Sequence, residues 1–203
     1  MTFESLDRSA TLLLNFDGGL LLDRLMWFAS EKLAWAPLYL LLLWLVARKW
    51  GWRYMVVILL AVVLGVGLSD QICNFFKEGF QMLRPNRVEG VKEYLHYVWD
   101  PIRGENCIFG RYGTISAHAA TTMSIFLVVG LGALGSSKHY WRWMPLWVVL
   151  VGYSRIYLGV HFLSQVLFGW LLGALVGFTL VWFMRRIPWL ERVKRAQKVS
   201  KVE

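Results

Sequence analysis

Arg155 and His161 lie six residues apart in the stretch Ser154-Arg155-Ile156-Tyr157-Leu158-Gly159-Val160-His161, with strongly apolar sequence on both sides. A cation and an imidazole are costly beside hydrocarbon, so ionisable groups in such a place are functional candidates by default. The Arg fork can give two parallel charge-assisted hydrogen bonds to a phosphate. A His suits proton transfer or nucleophilic attack near neutral pH. For the pair alone, a snorkelling Arg and a hydrogen-bonded interface His are an equally good reading. Two further clusters change the balance. Lys77 is followed after six residues by Arg84-Pro85, and Ser116-Ala117-His118 opens another apolar segment. Lys77, Arg84 and Arg155 together could neutralise the charge that a transferring phosphoryl group spreads over its three equatorial oxygens, without a metal. The helix start at Ser116 and the Ala117 amide would add free N–H groups and a positive dipole end, a ready anion site.

These groups need elements to carry them. The chain has 203 residues, 57% of them apolar, with twelve Trp, twelve Phe and eight Tyr and a mean hydropathy of +0.48. That composition predicts an all-α fold, a polytopic transmembrane bundle of about five spans plus an N-terminal amphipathic helix. In residues 1–19, Phe3, Leu6, Ala10, Leu13 and Leu14 recur at helical spacing opposite Glu4, Asp7 and Arg8, as in a helix lying on the membrane. Without a basic start or a cleavage site, no signal peptide is expected there. Residues 20–184 form the transmembrane domain. Its spans are expected over Leu20–Ala47, Tyr54–Phe76, Ile115–Leu134, Met144–Leu158 and Val160–Phe183, and a polar outer loop over 77–113. The first span is the least regular, because it carries Asp23, Arg24, Glu31, Lys32 and Pro37. Residues 185–203 form a basic tail.

The net charge of +9 does not point to nucleic acid. The Arg48–Arg53 loop, the Lys138–Arg142 loop and the tail hold more than half of the 22 Lys and Arg, and span parity puts all three on one side. The positive-inside rule makes that side cytoplasmic. Lys77, Arg84, His118, Arg155 and His161 then share the opposite face. In a bacterial cytoplasmic (inner) membrane this is the periplasmic side.

In this order, the clusters resemble the motifs of the type 2 phosphatidic acid phosphatase superfamily: Lys-x6-Arg-Pro, Pro-Ser-Gly-His and Ser-Arg-x5-His-x3-Asp. The match runs from Lys77 to Gln165. Ile115 and Ala117 stand where the family has Pro and Gly, and Gln165 stands where it usually has Asp. The resemblance implies that His161 attacks phosphorus and becomes a phosphohistidine, and that His118 protonates the leaving oxygen and then activates water. It implies phosphate binding by Lys77, Arg84, Ser116, Ala117 and Arg155, and no metal or cofactor. Gln165, four residues after His161, would fix the imidazole tautomer from the same helix face. An amide oxygen can do that but cannot stabilise the cation formed on attack, so either weaker activation of the nucleophile or help from another acid, such as Asp70, Glu78 or Asp100, is expected. A Gln here also resembles the glucose-6-phosphatase branch.

The resemblance implies a membrane hydrolase of a lipid phosphate or diphosphate. Its substrate would be an envelope lipid such as undecaprenyl diphosphate, phosphatidylglycerophosphate, phosphatidic acid or a lipid A phosphate. A lipid-to-lipid phosphotransferase and a non-catalytic anionic-lipid binder remain as alternatives, and oligomeric state leaves no mark on the sequence. Gly130-x-Gly132-x-x-Gly135 follows an apolar helix rather than a strand, so it is no dinucleotide fingerprint. Gly169, Gly173 and Gly177 suit a helix-packing face. Cys73 and Cys107 are either a disulfide bracing the outer loop or two buried thiols.

Overall fold

The computed structural model describes residues 2–199, with side chains to residue 193. Four helical stretches are long and apolar enough to cross a membrane: Leu33–Trp50, Trp52–Phe80, Ala117–Leu134 and Leu163–Met184. The third is the centre of the bundle. Within the best window of each, 72% of Ala117–Leu134 is buried, against 11% for Leu33–Trp50. The outer helices turn leucines, valines and aromatics outward, among them Leu60, Val63, Leu171 and Phe178. So wide an apolar surface suits lipid rather than water.

Helix α1 (Phe3–Leu14) is capped by Thr2, whose hydroxyl accepts from the Ser5 amide at 3.3 Å. Gly19, at φ +77°, makes the turn into α2 (Gly19–Ser30). The expected continuous helix over Leu20–Ala47 is instead broken. Glu31 is extended at φ −80°, ψ 121°, a 3₁₀ turn follows at Leu33–Trp35, and α3 (Ala36–Trp50) begins with Pro37 in its first turn. Proline favours a helix start and resists a helix interior, and Glu31 and Lys32 have no place in an uninterrupted apolar span.

Helix α4 (Trp52–Phe80) runs about 44 Å at 1.5 Å per residue, past the expected end at Phe76. Residues 81–116 form the long connection, with a two-residue hairpin pairing Trp99–Asp100 with Glu105–Asn106. Helix α5 (Ala117–Val129) is capped by Ser116 and ends in a π turn over Gly130–Leu134, which holds two of the three glycines of the false fingerprint. Carbonyls of that turn accept from Lys49, Trp50 and Tyr54 at 2.7–3.0 Å, tying the basic end of the bundle together.

Helix α6 (Lys138–Tyr157) starts well before the expected Met144, because Ser137 caps it at the Tyr140 amide. Its 20 residues reach about 30 Å, from that basic end to the far end of α5. Helix α7 (Leu163–Met184) lies directly on α5. A Cβ at Gly169 would stand 2.6 Å from the Ser116 carbonyl, and one at Gly173 would collide with the Ala120 carbonyl. The glycine spacing thus brings two backbones into contact. Helix α8 (Pro188–Val199) closes the chain, and Trp189 packs on Tyr54.

Helix α1 sets its polar face on the bundle and leaves its apolar face outward. Phe3, Leu6 and Leu13 point outward, 71%, 52% and 77% exposed, while Thr11 and Asn15 are buried against the bundle. Cys73 and Cys107 are free, buried thiols.

Candidate active site

Four helix ends and the long connection enclose a cavity of about 400 Å³. Lys77 reaches it from the last turn of α4, Arg84 from the connection, Ala117 and His118 from the first turn of α5, Arg155 from the last turn of α6, and His161 from the turn before α7. Six of the eight expected site residues therefore meet in one place. Ser116 and Gln165 stand behind it. Ser116 is fully buried; its hydroxyl accepts from the Ala119 amide at 3.5 Å, and its own amide donates to the Gln165 carbonyl at 2.9 Å. It therefore holds α5 against α7 rather than facing the cavity. The amides of Ala117 and His118 lie in the first turn of α5, where a helix leaves N–H groups without intrahelical acceptors.

His161 is not in the helix, as the spacing to Gln165 suggests, but in the turn that precedes it. The two side chains still meet. Nδ1 of His161 lies 2.9 Å from Oε1 of Gln165 and 3.1 Å from the Gly113 carbonyl. Two acceptors there require the proton on Nδ1, which leaves the Nε2 lone pair free. Gln165 Oε1 also accepts from the Phe162 amide at 3.3 Å. None of the three carboxylates named as possible helpers hydrogen-bonds this ring. Asp70 lines the cavity and accepts from Asn74, Asp100 closes its own turn by accepting the Ile102 amide, and Glu78 does not line the cavity. The second acceptor is a backbone carbonyl, which residue types do not reveal.

Gly113 owes its place to this crowding. A Cβ there would stand 2.7 Å from Cγ of Arg84, 3.1 Å from Oε1 of Gln165 and 3.3 Å from Cε1 of His161. Any side chain would push the cation, the imidazole and its orienting amide apart.

Arg155 is 4% exposed. One guanidinium nitrogen donates to the Ser30 hydroxyl, the plane lies 5.1 Å from the Phe109 ring, and Nε has no hydrogen-bond partner among the described residues. No carboxylate pairs with it among them. A buried, unneutralised guanidinium carries a desolvation cost that an entering anion would offset. Arg84 donates from Nε to the Tyr112 carbonyl at 2.9 Å, and burial, reinforced by Arg87, lowers its pKa to about 10. His161 is held well below the usual histidine range by burial first, and then by Arg84 and Arg155. It is neutral at pH 7, as a nucleophile must be.

The remaining wall comes from the break between α2 and α3. Ser30, Glu31 and Lys32 line it, with Asp70 and Asn74 of α4 alongside. The irregularity at Glu31 and Lys32 was the only trace of this wall in the sequence. A second cavity of about 460 Å³ shares Lys32 and Asp70 with the first and continues between α3, α4 and α5 over Leu42, Val62 and Ile125. It is almost wholly apolar.

A family model described as the PAP2 superfamily matches residues 50–189. A lipid A 4'-phosphatase of Porphyromonas gingivalis is 33% identical over 91% of this chain and 76% of its own. A lipid A 4'-phosphatase of Bacteroides thetaiotaomicron is 28% identical over 85% and 75%. The crystal structure of a transmembrane PAP2-type phosphatidylglycerolphosphate phosphatase from Bacillus subtilis superposes with a TM-score of 0.65 at 20% identity, over 91% of this chain and 87% of that one.

Proposed function

The chain belongs to the PAP2 superfamily and is a multi-pass membrane lipid phosphatase, and from that premise we propose that it hydrolyses the phosphate monoester of a saccharide-headed lipid of the lipid A type. The observation that carries this reading is the shared cavity, where five cations (Lys32, Lys77, Arg84, Arg103 and Arg155) and two histidines share the lining with Glu31 and Asp70. The carboxylates would repel a phosphate but accept hydrogen bonds from hydroxyl and amide donors. A sugar ring carries such donors and a prenyl chain does not. The apolar groove below suits an acyl chain, and the similarity to two lipid A 4'-phosphatases along most of the chain points the same way.

In this mechanism Nε2 of His161 attacks phosphorus in line with the ester oxygen. The N–P bond forms, the P–O bond to the sugar breaks, and His118 gives its proton to the departing oxygen. His118 then takes a proton from water, which attacks phosphorus and releases inorganic phosphate and neutral His161. Lys77, Arg84 and Arg155 hold the equatorial oxygens, joined by the α5 amides. Gln165 and the Gly113 carbonyl keep the proton on Nδ1. The positive charge on the basic end of the bundle favours a bacterial inner membrane with the site on the periplasmic face.

The test is phosphate release in detergent with excess chelator, from lipid A, undecaprenyl diphosphate, phosphatidylglycerophosphate and phosphatidic acid. Lipid A is expected to give the highest kcat/KM, with an acid-labile phosphoenzyme absent from His161→Ala. A preference for the diphosphate would overturn the saccharide reading. Transfer of label to a second lipid would make the protein a phosphotransferase, and binding without turnover would make it a lipid-binding protein.

A further inference from the structure

Helix α7 starts with an unusual deficit. Its N-cap is Phe162, whose side chain cannot accept a hydrogen bond, although the first amides of a helix need acceptors. The acceptors come from α1. The Thr11 hydroxyl accepts from the Leu163 amide at 3.0 Å, and Asp7 accepts from the Ser164 amide at 2.9 Å and also from the Ser164 hydroxyl. Asp7, Thr11 and Asn15 are spaced four apart, on one face of α1. Asn15 extends the row, donating to the Tyr157 carbonyl and accepting from the His96 amide at 2.8 Å. Thr11 is fully buried and Asn15 is 3% exposed. The three side chains therefore bracket His161 in sequence, gripping residue 157 before it and residues 163 and 164 after it. Gln165, which orients the imidazole, is the next residue along.

We propose that α1 is a strap that positions the His161 imidazole, with Asp7 and Thr11 as positioning residues that act through the first turn of α7. This rests on the reading of His161 as the nucleophile. The Lys-x6-Arg-Pro and Ser-Arg-x5-His motifs place the reacting groups, and Gln165 takes the Phe162 amide, but the Leu163 and Ser164 amides that follow His161 find their acceptors only in α1. If the α7 amides lose their acceptors, Gln165 is free to shift with them and the attacking nitrogen leaves its line. Small displacements of a reacting group cost about tenfold to a hundredfold in rate.

The decisive pair is Thr11→Val and Thr11→Ser in the full chain, because valine keeps the volume of threonine and serine keeps its hydroxyl. With lipid A, Thr11→Val and Asp7→Ala should each lower kcat about tenfold with KM changed less than twofold. Thr11→Ser should recover the rate, and Ser5→Ala on the exposed side of α1 should match wild type. Unchanged kcat in both Thr11→Val and Asp7→Ala would overturn the proposal, as would a loss that Thr11→Ser does not recover. A readout independent of turnover separates this from the phosphatase reading. In ¹⁵N-histidine-labelled protein, His161 (assigned with His161→Gln) should show one Nδ1-protonated tautomer, becoming a mixture of tautomers in Thr11→Val. An identical His161 spectrum in both would overturn the strap even if the substrate proved to be something other than a lipid phosphate.

Discussion

The cavity has two walls built on different terms. The wall formed by α5, α6, α7 and residues 77–84 supplies charge and reactive nitrogen: Lys77, Arg84, His118, Arg155 and His161. The wall formed by the first 35 residues supplies Ser30 on Arg155 and, in the cavity, Glu31 and Lys32 of opposite charge, while behind it Asp7 and Thr11 brace the start of α7. In the proposed mechanism, one wall holds what reacts and the other holds it still. The difference teaches that a cluster of cations in a low-dielectric site needs supports that do not neutralise it. A carboxylate paired with Arg155 would cancel the charge meant for phosphate, whereas a serine hydroxyl fixes the guanidinium and leaves its charge intact.

Substitutions can break this division. His161→Ala, in the reactive wall, should lower kcat by about 10³-fold or more while the protein still binds inorganic phosphate. Binding is read by calorimetry and turnover by phosphate release. Arg155→Gln removes transition-state charge and should cost about 10²-fold in kcat/KM. Ser30→Ala touches the same guanidinium from the supporting wall and should cost only about fivefold, the worth of one hydrogen bond. Equal losses for the two would erase the distinction between walls. The finest test uses pH. Neutral His161 is the competent form, and activity falls as pH drops through its lowered pKa. Arg84 helps to keep that pKa low, so Arg84→Gln should move the acid limb of kcat/KM toward higher pH, by about one unit or less. Ser30→Ala, which removes no charge, should leave the limb in place.

Legibility divided along the same line. Lys, Arg and His beside apolar spans are conspicuous because hydrocarbon penalises them, so the residues of the reactive wall could be read from residue types and spacing. The sequence predicts about five spans, whereas four helices among the described residues are long and apolar enough to cross. Ser30, Thr11 and Asp7 are ordinary polar residues near helix ends, and their roles depend on tertiary neighbours more than 100 positions away. The outward-facing leucines of α1 read correctly as amphipathic, but the pattern cannot tell which face meets the protein. Gly113 was invisible for a different reason. Its value lies in a missing Cβ between three side chains brought together by the fold. Gly113→Ala would need neighbours to shift, an overpacking cost of about 1–3 kcal/mol.

The backbone contact along Gly169, Gly173 and Gly177 also governs traffic. With α5 and α7 in backbone contact at Gly169 and Gly173, that side of the chamber is closed. The chamber opens on its other sides. What remains open is the mostly apolar groove between α3, α4 and α5, which runs into the chamber, and the break at Glu31, which forms part of its wall.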